Sequence, residues 1–570
     1  MSDHAPSTDA LGGFHGAFRQ SMSWFHTWVG LTLSVVLYFM FVTGTAGYFQ
    51  TQITRWMEPE RGVQSGAALP HDAAAMAEAA VARGLAEIPD ATALYVGWPV
   101  EGATQSDYYV YAEGPAPEDG GDAPVLDEKL DPATLQAAGE GGVRETGGGE
   151  ALYVMHYDLH YIPFTSFTVL GYTLPALPTL IVGVATMFML VAIVTGVVVH
   201  KKIFADMFTF RPGKGQRSWL DAHNLSSVLA LPFMVMITYS GLLMYTFEYM
   251  PTARDVAYGI SDEARERFEH ETYPTYNYHK AEPAGVAAPM APVSAMIEQA
   301  RASWDGLEPK WIDLYNAGDR NARALVWSEE APAGGYETLW FDATTGEALP
   351  PVPAAAANPV TPVVDVFYAL HEGTYAGPFL RWLYFASGAI GAAMIATGLV
   401  LWTTKRRAKL RAGGRPDAGL VFVERTNVGI VAGLLIGVAA YFWANRLLPV
   451  GMEERAAWEM HALFLAWGAT FVHAALRPAR RAWVEQFAVA ALAWGLLPVV
   501  NALTTEVHLG RSLPVGDWTL AGFDLTALAL AAVFALASRK ALRSARAASA
   551  PAPARARPAR RASPIMEPAE

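Results

Sequence analysis

The sequence predicts an α-helical integral membrane protein with eight transmembrane helices, of which the first four form a pseudo-twofold bundle. Of its 570 residues 52% are hydrophobic and only 17% are charged, whereas soluble proteins carry about 25% charged residues. The apolar residues are concentrated in runs of the length that crosses about 30 Å of hydrocarbon. Eight such runs are found, at 25–49, 179–200, 223–247, 380–403, 428–448, 457–476, 485–504 and 521–538.

The first run predicts a retained membrane anchor. It is too long for the apolar part of a signal peptide, and no small-residue cleavage site follows it. Lys and Arg gather after the second, fourth, sixth and eighth runs. Because such residues favour the cytoplasmic side, residues 1–23 and the C-terminus are predicted to be cytoplasmic.

The first four runs belong to an internal repeat with an offset of 197 residues. His26 precedes Thr43-Gly44 by the interval that separates His223 from Ser240-Gly241. The later parts of the repeat also match, since "LVAIVTGVVV" resembles "AMIATGLVLW", and each follows a Leu-His pair. Residues 24–203 and 221–405 are therefore two copies of one unit, which predicts a pseudo-twofold four-helix bundle.

Each copy contains a small α+β domain outside the membrane, at 50–155 and 248–365. In the second, "VSAMIEQARASW" has a helical pattern and "ARALVWS" and "ETLWFDATTGEAL" have strand patterns. Residues 428–540 supply four additional helices that do not obviously repeat the first four. The tail at 545–570 is rich in Ala, Pro and Arg, which predicts a disordered cytoplasmic segment near lipid headgroups.

The absence of cysteine limits the cofactors. It excludes iron–sulfur clusters, thiolate zinc sites, covalently attached haem and disulfides. Any redox cofactor must then be held by His, Met or other side chains. Among the fourteen histidines, those in polar segments are interpreted as surface residues: His4, His15, His71, His270 and His279.

Four histidines occupy equivalent positions in the two copies. His26 and His223 lie at the cytoplasmic ends of their helices, and His160 and His371 lie near the outer ends. A single histidine at a membrane edge is usually an interfacial residue. Two symmetry-related imidazoles across a bundle axis, however, suit the axial ligands of a b-type haem, and two such pairs predict two haems in series.

Two further histidines remain reserve ligands. His156 lies one helical turn before His160, so it is either the true ligand or a hydrogen-bond donor to a haem propionate. His200 is cytoplasmic, but its counterpart in the second copy is Trp402. His461 and His473 are twelve residues apart on one helix and cannot share a metal, which favours a structural or proton-handling role.

These segments together resemble a known family. The elements "WFHTWVG", "DLHYIPF", "WLDAHNLSSVLA", "YALHEGTY" and "FDATTGEAL" are similar to those of the PepSY-associated transmembrane proteins, also called iron-regulated membrane proteins, over about residues 20–410. The resemblance implies two periplasmic PepSY-like modules, a bacterial inner membrane and two haem b groups. It also implies release of iron from ferric siderophores at the periplasmic face.

The expected function is therefore a dihaem electron-transfer protein that reduces ferric iron or ferric siderophores. The chain has no G-x-G-x-x-G fingerprint of a dinucleotide-binding domain. The donor is therefore either quinol or a separate cytoplasmic reductase, and no nucleic acid is expected. Two alternatives remain: a transporter for iron or siderophores, and a non-enzymatic PepSY regulator of a peptidase, which would need no haem.

Overall fold

The structure is a computed structural model, and most of the chain is described in it. The described residues are 8–63, 72–98, 108–117, 123–130, 135, 137, 143–163, 167–169, 172–174, 176–200, 202–246, 252–330, 335–353, 361–373, 375–410 and 414–549. The predicted disordered tail at 545–570 lies almost wholly outside these residues.

In the described part of the first copy there are seven α-helices and five strands. They are α1 (Thr8–Thr32), α2 (Ser34–Gly47), α3 (Gln50–Met57), a 3₁₀ turn (Pro59–Arg61), α4 (Ala73–Glu87), β1 (Ala93–Gly97), β2 (Tyr108–Glu113), β3 (Val125–Leu130), α5 (Gly148–Asp158), β4 (Phe167–Val169), β5 (Tyr172–Leu174), α6 (Leu177–Val199) and α7 (Ile203–Met207).

The second copy repeats this order with three strands. Its elements are α8 (Gln216–Met244), α9 (Thr252–Tyr258), α10 (Asp262–Thr272), α11 (Pro274–Asn277), α12 (Val293–Ser303), β6 (Pro309–Tyr315), β7 (Arg323–Glu330), β8 (Tyr336–Asp342), α13 (Thr361–Glu372) and α14 (Pro378–Lys409). The C-terminal part is helical, with α15 (Ala418–Val428), a π turn (Gly429–Gly433), α16 (Leu434–Leu447), α17 (Arg455–Leu476), α18 (Ala479–Thr504), α19 (Leu509–Val515) and α20 (Trp518–Ser549).

The chain is a multi-pass membrane protein, but eight spans are not confirmed. Within the described residues, six helical segments are long and apolar enough to cross a membrane: α6, α8, α14, α15–α16, α18 and α20. The helices α1 and α2 meet at a 64° bend and together can form a seventh span. The remaining predicted span, the sixth run at 457–476, lies on α17, where His461, His473 and Glu459 lower the mean hydropathy.

The helices of the two copies are interleaved rather than side by side. Within the copies α1 packs on α6 and α8 packs on α14, and across them α2 packs on α14 and α6 packs on α8. Small residues allow this approach, because a Cβ at Gly388 of α14 would lie 2.2 Å from the Thr45 hydroxyl oxygen of α2. The bundle therefore brings side chains from both copies to one axis.

The two extramembrane domains share one sheet, which the sequence did not predict. The sheet is antiparallel with the order β3-β2-β1-β6-β7-β8, so each domain contributes three strands. The strands β1 and β6 join the two halves, with Val96 opposite Ile312. The helices α4 and α12 cover one face and contact each other, and the buried core between them includes Leu94, Val110 and Phe341. The domains therefore form a single unit, and its side of the bundle is called the sheet end below.

The C-terminal helices, α15 to α20, pack against the bundle through α2, α3 and α14. Tyr38 and Phe39 of α2 share a core with Leu434 and Phe442 of α16. The Tyr38 hydroxyl donates to the Val431 carbonyl at 3.2 Å. This helical group is therefore part of the same folded body as the repeat.

A buried polar network joins these helices to the first copy at the sheet end. The side chains of Arg455 and Glu459 are fully buried and form an ion pair. Glu459 also accepts from the Asn445 amide at 2.7 Å and from the Thr146 hydroxyl at 2.6 Å. Other members are Glu60, Arg144, Arg446, Asn501 and Asp524. The network has three acidic and three basic side chains. Because each buried charge has an opposite charge within the network, the free-energy cost of burying these groups is reduced.

Candidate functional site

Two histidines face each other at the end of the bundle opposite the sheet. The ring centroids of His26 on α1 and His223 on α8 are 6.3 Å apart, with an interplanar angle of 65°. Their Nδ1 atoms have equivalent partners: His26 donates to the Ala192 carbonyl and His223 to the Met394 carbonyl, each at 2.9 Å. Each Nδ1–H is thereby fixed, and each Nε2 keeps its lone pair. This pair is called the inner pair.

A second pair lies at the sheet end, formed by His156 on α5 and His371 on α13. Their ring centroids are also 6.3 Å apart, and the rings are close to parallel, at 21°. His156 Nδ1 bonds to the Tyr153 carbonyl. His371 Nδ1 bonds to the Ser240 hydroxyl at 2.8 Å, and that hydroxyl in turn donates to the Met236 carbonyl. The tautomer is therefore the same as in the inner pair. This pair is called the outer pair.

Each of the four histidines packs against a glycine of a neighbouring helix. A Cβ at Gly196 would lie 3.2 Å from His26 Cε1, and one at Gly398 would lie 3.1 Å from His223 Cε1. The corresponding distances are 3.0 Å from Gly241 to His371 Cε1 and 3.4 Å from Gly44 to His156 Cγ. Each glycine follows a Thr or Ser in the sequence: Thr43, Thr195, Ser240 and Thr397. The repeated Thr/Ser-Gly pairs therefore mark the contact surfaces of the histidines.

The structure does not bring His160, the ligand predicted from the sequence, to face His371. The helix α5 ends at Asp158, and Leu159, His160 and Tyr161 all have positive φ values. The chain therefore turns away, and the His160 ring stacks on Phe464 of α17 at 5.6 Å. The first reserve residue, His156, faces His371 instead. In sequence, the counterpart of His371 is His160. In space, its counterpart is His156, one helical turn earlier in the chain.

The second reserve residue, His200, is not directed at the inner pair. Its Nε2 accepts from the Asn224 amide at 2.5 Å and lies 3.5 Å from an Asp206 carboxylate oxygen. His461 contacts the Tyr161 hydroxyl. His473 bonds to Glu485 at 2.9 Å. These rings have structural partners and lie outside both pairs.

Polar side chains surround the outer pair. Tyr48 donates its hydroxyl to the His371 carbonyl at 3.3 Å, and Tyr153 donates to Glu372 at 3.3 Å. Burial raises the pKa of Glu372, and the Tyr153 hydrogen bond and the charge of Lys310 on β6 oppose that rise. Strand β6 of the shared sheet therefore lies close enough for the Lys310 charge to act on Glu372, the residue next to His371.

The outer pair has the protonation state that a metal requires. Burial, followed by repulsion from His156, lowers the pKa of His371 to about 3, and burial also lowers the pKa of His156. Both rings are therefore neutral near pH 7, as metal-binding imidazoles must be. Within the described ranges no group of three or more His, Asp or Glu side chains forms a metal cluster.

The spacing of both pairs suits a cofactor with two axial imidazoles. Two metal–nitrogen bonds of about 2 Å and two ring radii of about 1 Å add to roughly 6 Å between centroids, close to the observed 6.3 Å. Among the described residues none hydrogen-bonds to the four Nε2 atoms, and the opposite nitrogens are held by backbone or hydroxyl groups, the arrangement that orients metal-bound histidines.

The fold and these pairs define a multi-pass membrane protein with an internal repeat and two part-buried pairs of facing histidines. The chain belongs to the family of the PepSY-associated TM region, whose model matches residues 23–405. This confirms the family suggested by the sequence. The matched region contains both histidine pairs and the shared sheet, and it ends before α15. A search of curated proteins found no match.

Proposed function

We propose that the protein is a dihaem b-type electron-transfer protein of the bacterial inner membrane that reduces ferric iron or ferric siderophores at the sheet end. One observation carries this proposal. In both the inner and the outer pair, two imidazole rings face each other with 6.3 Å between their centroids. In the inner pair, each Nδ1 atom bonds to a backbone carbonyl and not to the partner ring. Haem in such sites supplies one-electron chemistry.

Four histidines are the proposed haem ligands, and backbone carbonyls and a serine hydroxyl orient three of them. His26 and His223 would hold the inner haem, and His156 and His371 would hold the outer one. The carbonyls of Ala192 and Met394 orient the inner rings, and the Ser240 hydroxyl orients His371. Haem groups held at these two places would supply one-electron transfer within the bundle.

The proposed orientation follows the Lys/Arg distribution. The sheet end is periplasmic, the inner pair is near the cytoplasm, and both termini are cytoplasmic. A ferric complex then reaches the outer pair from the periplasm. In this topology α17 is the remaining span, held in the membrane by its packing on α16.

A visible spectrum tests the cofactor directly. Protein purified from haem-replete cells should be red, with low-spin spectra and two acid-extractable haems per chain, because the chain has no cysteine for covalent attachment. A colourless preparation would contradict the proposal and favour the peptidase regulator. Haem-loaded protein that moves a ferric siderophore across a vesicle membrane without reducing it would favour the transporter.

The acceptor is tested in proteoliposomes. Ferric complexes added on the sheet side should reoxidise the chemically reduced protein, with ferrous iron trapped by a colorimetric chelator. A variant lacking His371 should lose this reaction while its inner haem stays reducible. Equal reoxidation by both proteins would contradict delivery through the outer pair.

A further inference from the structure

A groove lies between the bundle and the C-terminal helices. Its volume is about 480 Å³, and α2, α3, α14, α16, α18 and α20 form its walls. The groove exists because the C-terminal helices pack beside the bundle, and they lie outside the matched family region. It opens between helices that are apolar enough to cross a membrane, so a ligand enters it from the lipid.

The lining changes character along the groove. At the sheet end it is aromatic, with Phe49, Trp382 and Trp518, and the rings of Phe49 and Trp382 are 4.6 Å apart. Farther along α14 and α20 the lining mixes small, aliphatic and aromatic side chains, with Ala393 and Leu530 beside Phe487 and Phe534. An apolar ligand that combines a flat ring with a hydrocarbon chain suits this lining.

One polar group at the aromatic end has no partner. The carboxamide oxygen of Gln52 is buried, lines the groove and accepts no hydrogen bond among the described residues. A buried acceptor left unsatisfied costs about 1–3 kcal/mol, so a ligand hydroxyl at this position is favoured. None of the described residues that line the groove is charged, which favours a neutral ligand over a phospholipid headgroup.

The groove shares two helices with the outer histidine pair. On α2, Gly44 contacts His156 whereas the next residue, Thr45, lines the groove. On α5, Leu152 lines the groove one helical turn before His156. A ligand in the groove is therefore separated from the outer pair by about one helix diameter, roughly 10 Å.

We propose that this groove binds an isoprenoid quinone, with its ring near Gln52 and its chain between α14 and α20, and that the quinol form is the electron donor. Only the donor role depends on the function proposed above. Oxidation of one quinol breaks two O–H bonds and gives one quinone, two protons and two electrons. Two ferric complexes outside the membrane take up one electron each, so the reaction balances.

Binding is measured on the purified full-length protein by quenching of tryptophan fluorescence with decylubiquinone and with menaquinone-4. Trp382 and Trp518 line the groove, so saturable quenching is expected. Ala393→Phe fills the groove and should weaken binding at least about tenfold. Gln52→Leu removes one hydrogen bond and should weaken it about fivefold.

Ala532→Phe is the matched control. Ala532 lies on α20, is exposed and does not line the groove, so its substitution should leave quenching unchanged. Elution volume and circular dichroism establish that all variants are folded, and extraction of co-purified quinone gives a second readout. Equal quenching in all four proteins, or equally effective displacement by phosphatidylglycerol, would overturn the proposal. A preparation without haem would contradict the proposed function but leave this binding result valid.

Discussion

Ser240 of α8 and His371 of α13 form a directed hydrogen bond across the outer site. The serine oxygen lies 2.8 Å from His371 Nδ1, and because its own proton goes to the Met236 carbonyl we assign the Nδ1 proton to the imidazole, for which the Ile237 carbonyl is a second acceptor. A bonded Nδ1–H makes the opposite nitrogen a stronger metal ligand. The serine therefore acts as a positioning residue for the proposed outer haem.

Ser240→Ala should raise the reduction potential of the outer haem. Loss of a hydrogen bond of about 1 kcal/mol makes His371 less basic and shifts the potential by roughly 40 mV. Redox titration followed in the visible spectrum measures the shift. Thr397→Ala is the control, because that hydroxyl donates to the Ala393 and Met394 carbonyls. An unchanged potential in Ser240→Ala would contradict the assigned role.

The histidine assignment at the outer site distinguishes two neighbouring residues. His156→Ala should remove the outer haem and halve the haem content, whereas His160→Ala should retain both haems, because His160 stacks on Phe464. Pyridine haemochrome assays on both variants count the haems. Haem loss in His160→Ala with retention in His156→Ala would restore the sequence-based assignment.

Binding of the inner haem should require a glycine at Gly398. In Gly398→Val the new side chain meets His223, whose Cε1 would lie 3.1 Å from the added Cβ. The imidazole is displaced, and loss of the inner haem is expected. Gly30→Val is the matched control, since no atom lies within 4 Å of a Cβ there. The spectra of the two variants give the answer, and a full haem content in Gly398→Val would contradict the close packing.

In the buried network, removing one charge should lower the thermal stability more than removing both charges of the Arg455–Glu459 pair. Arg455→Met leaves Glu459 buried without its ion partner, which typically costs about 3–5 kcal/mol. The double variant Arg455→Met, Glu459→Leu removes both charges and should recover much of that loss. Thermal unfolding in detergent compares the three proteins. A double variant less stable than the single one would show that the remaining Asn445 and Thr146 contacts dominate.

The shared sheet should be more stable at mildly acidic pH. Burial raises the pKa of Asp313 on β6 from 3.8 to about 6, although the indoles of Trp311 and Trp327 donate to it. Because the folded state binds this proton more tightly than the unfolded chain, the added stability is complete below about pH 4 and is lost as the pH rises through about 6.

Hydrogen exchange of β6 and β7, corrected for intrinsic rates, measures this effect. Protection should be greater at pH 5 than at pH 7.5, by about 1.5 kcal/mol of opening free energy. Asp313→Asn cannot titrate and should abolish the difference. A pH dependence that persists in Asp313→Asn would assign it to another group.

The sequence by itself determined the family, the two copies and three of the four histidines that the structure pairs. Apolar runs, the Lys/Arg distribution and the repeat are local properties of the chain, so they can be read without coordinates. The Thr/Ser-Gly pairs were also visible, because a helix that receives an imidazole needs a residue without a side chain at that point. The role of these histidines as haem ligands stays a prediction.

Only the tertiary structure decided between His156 and His160. The sequence match favoured His160, but α5 ends at Asp158 and Leu159 adopts a left-handed conformation, which depends on packing beyond the helix. The union of β1 with β6 and the groove at Gln52 likewise join residues more than 200 positions apart in the chain. Such contacts depend on how whole elements dock, and no local pattern records them.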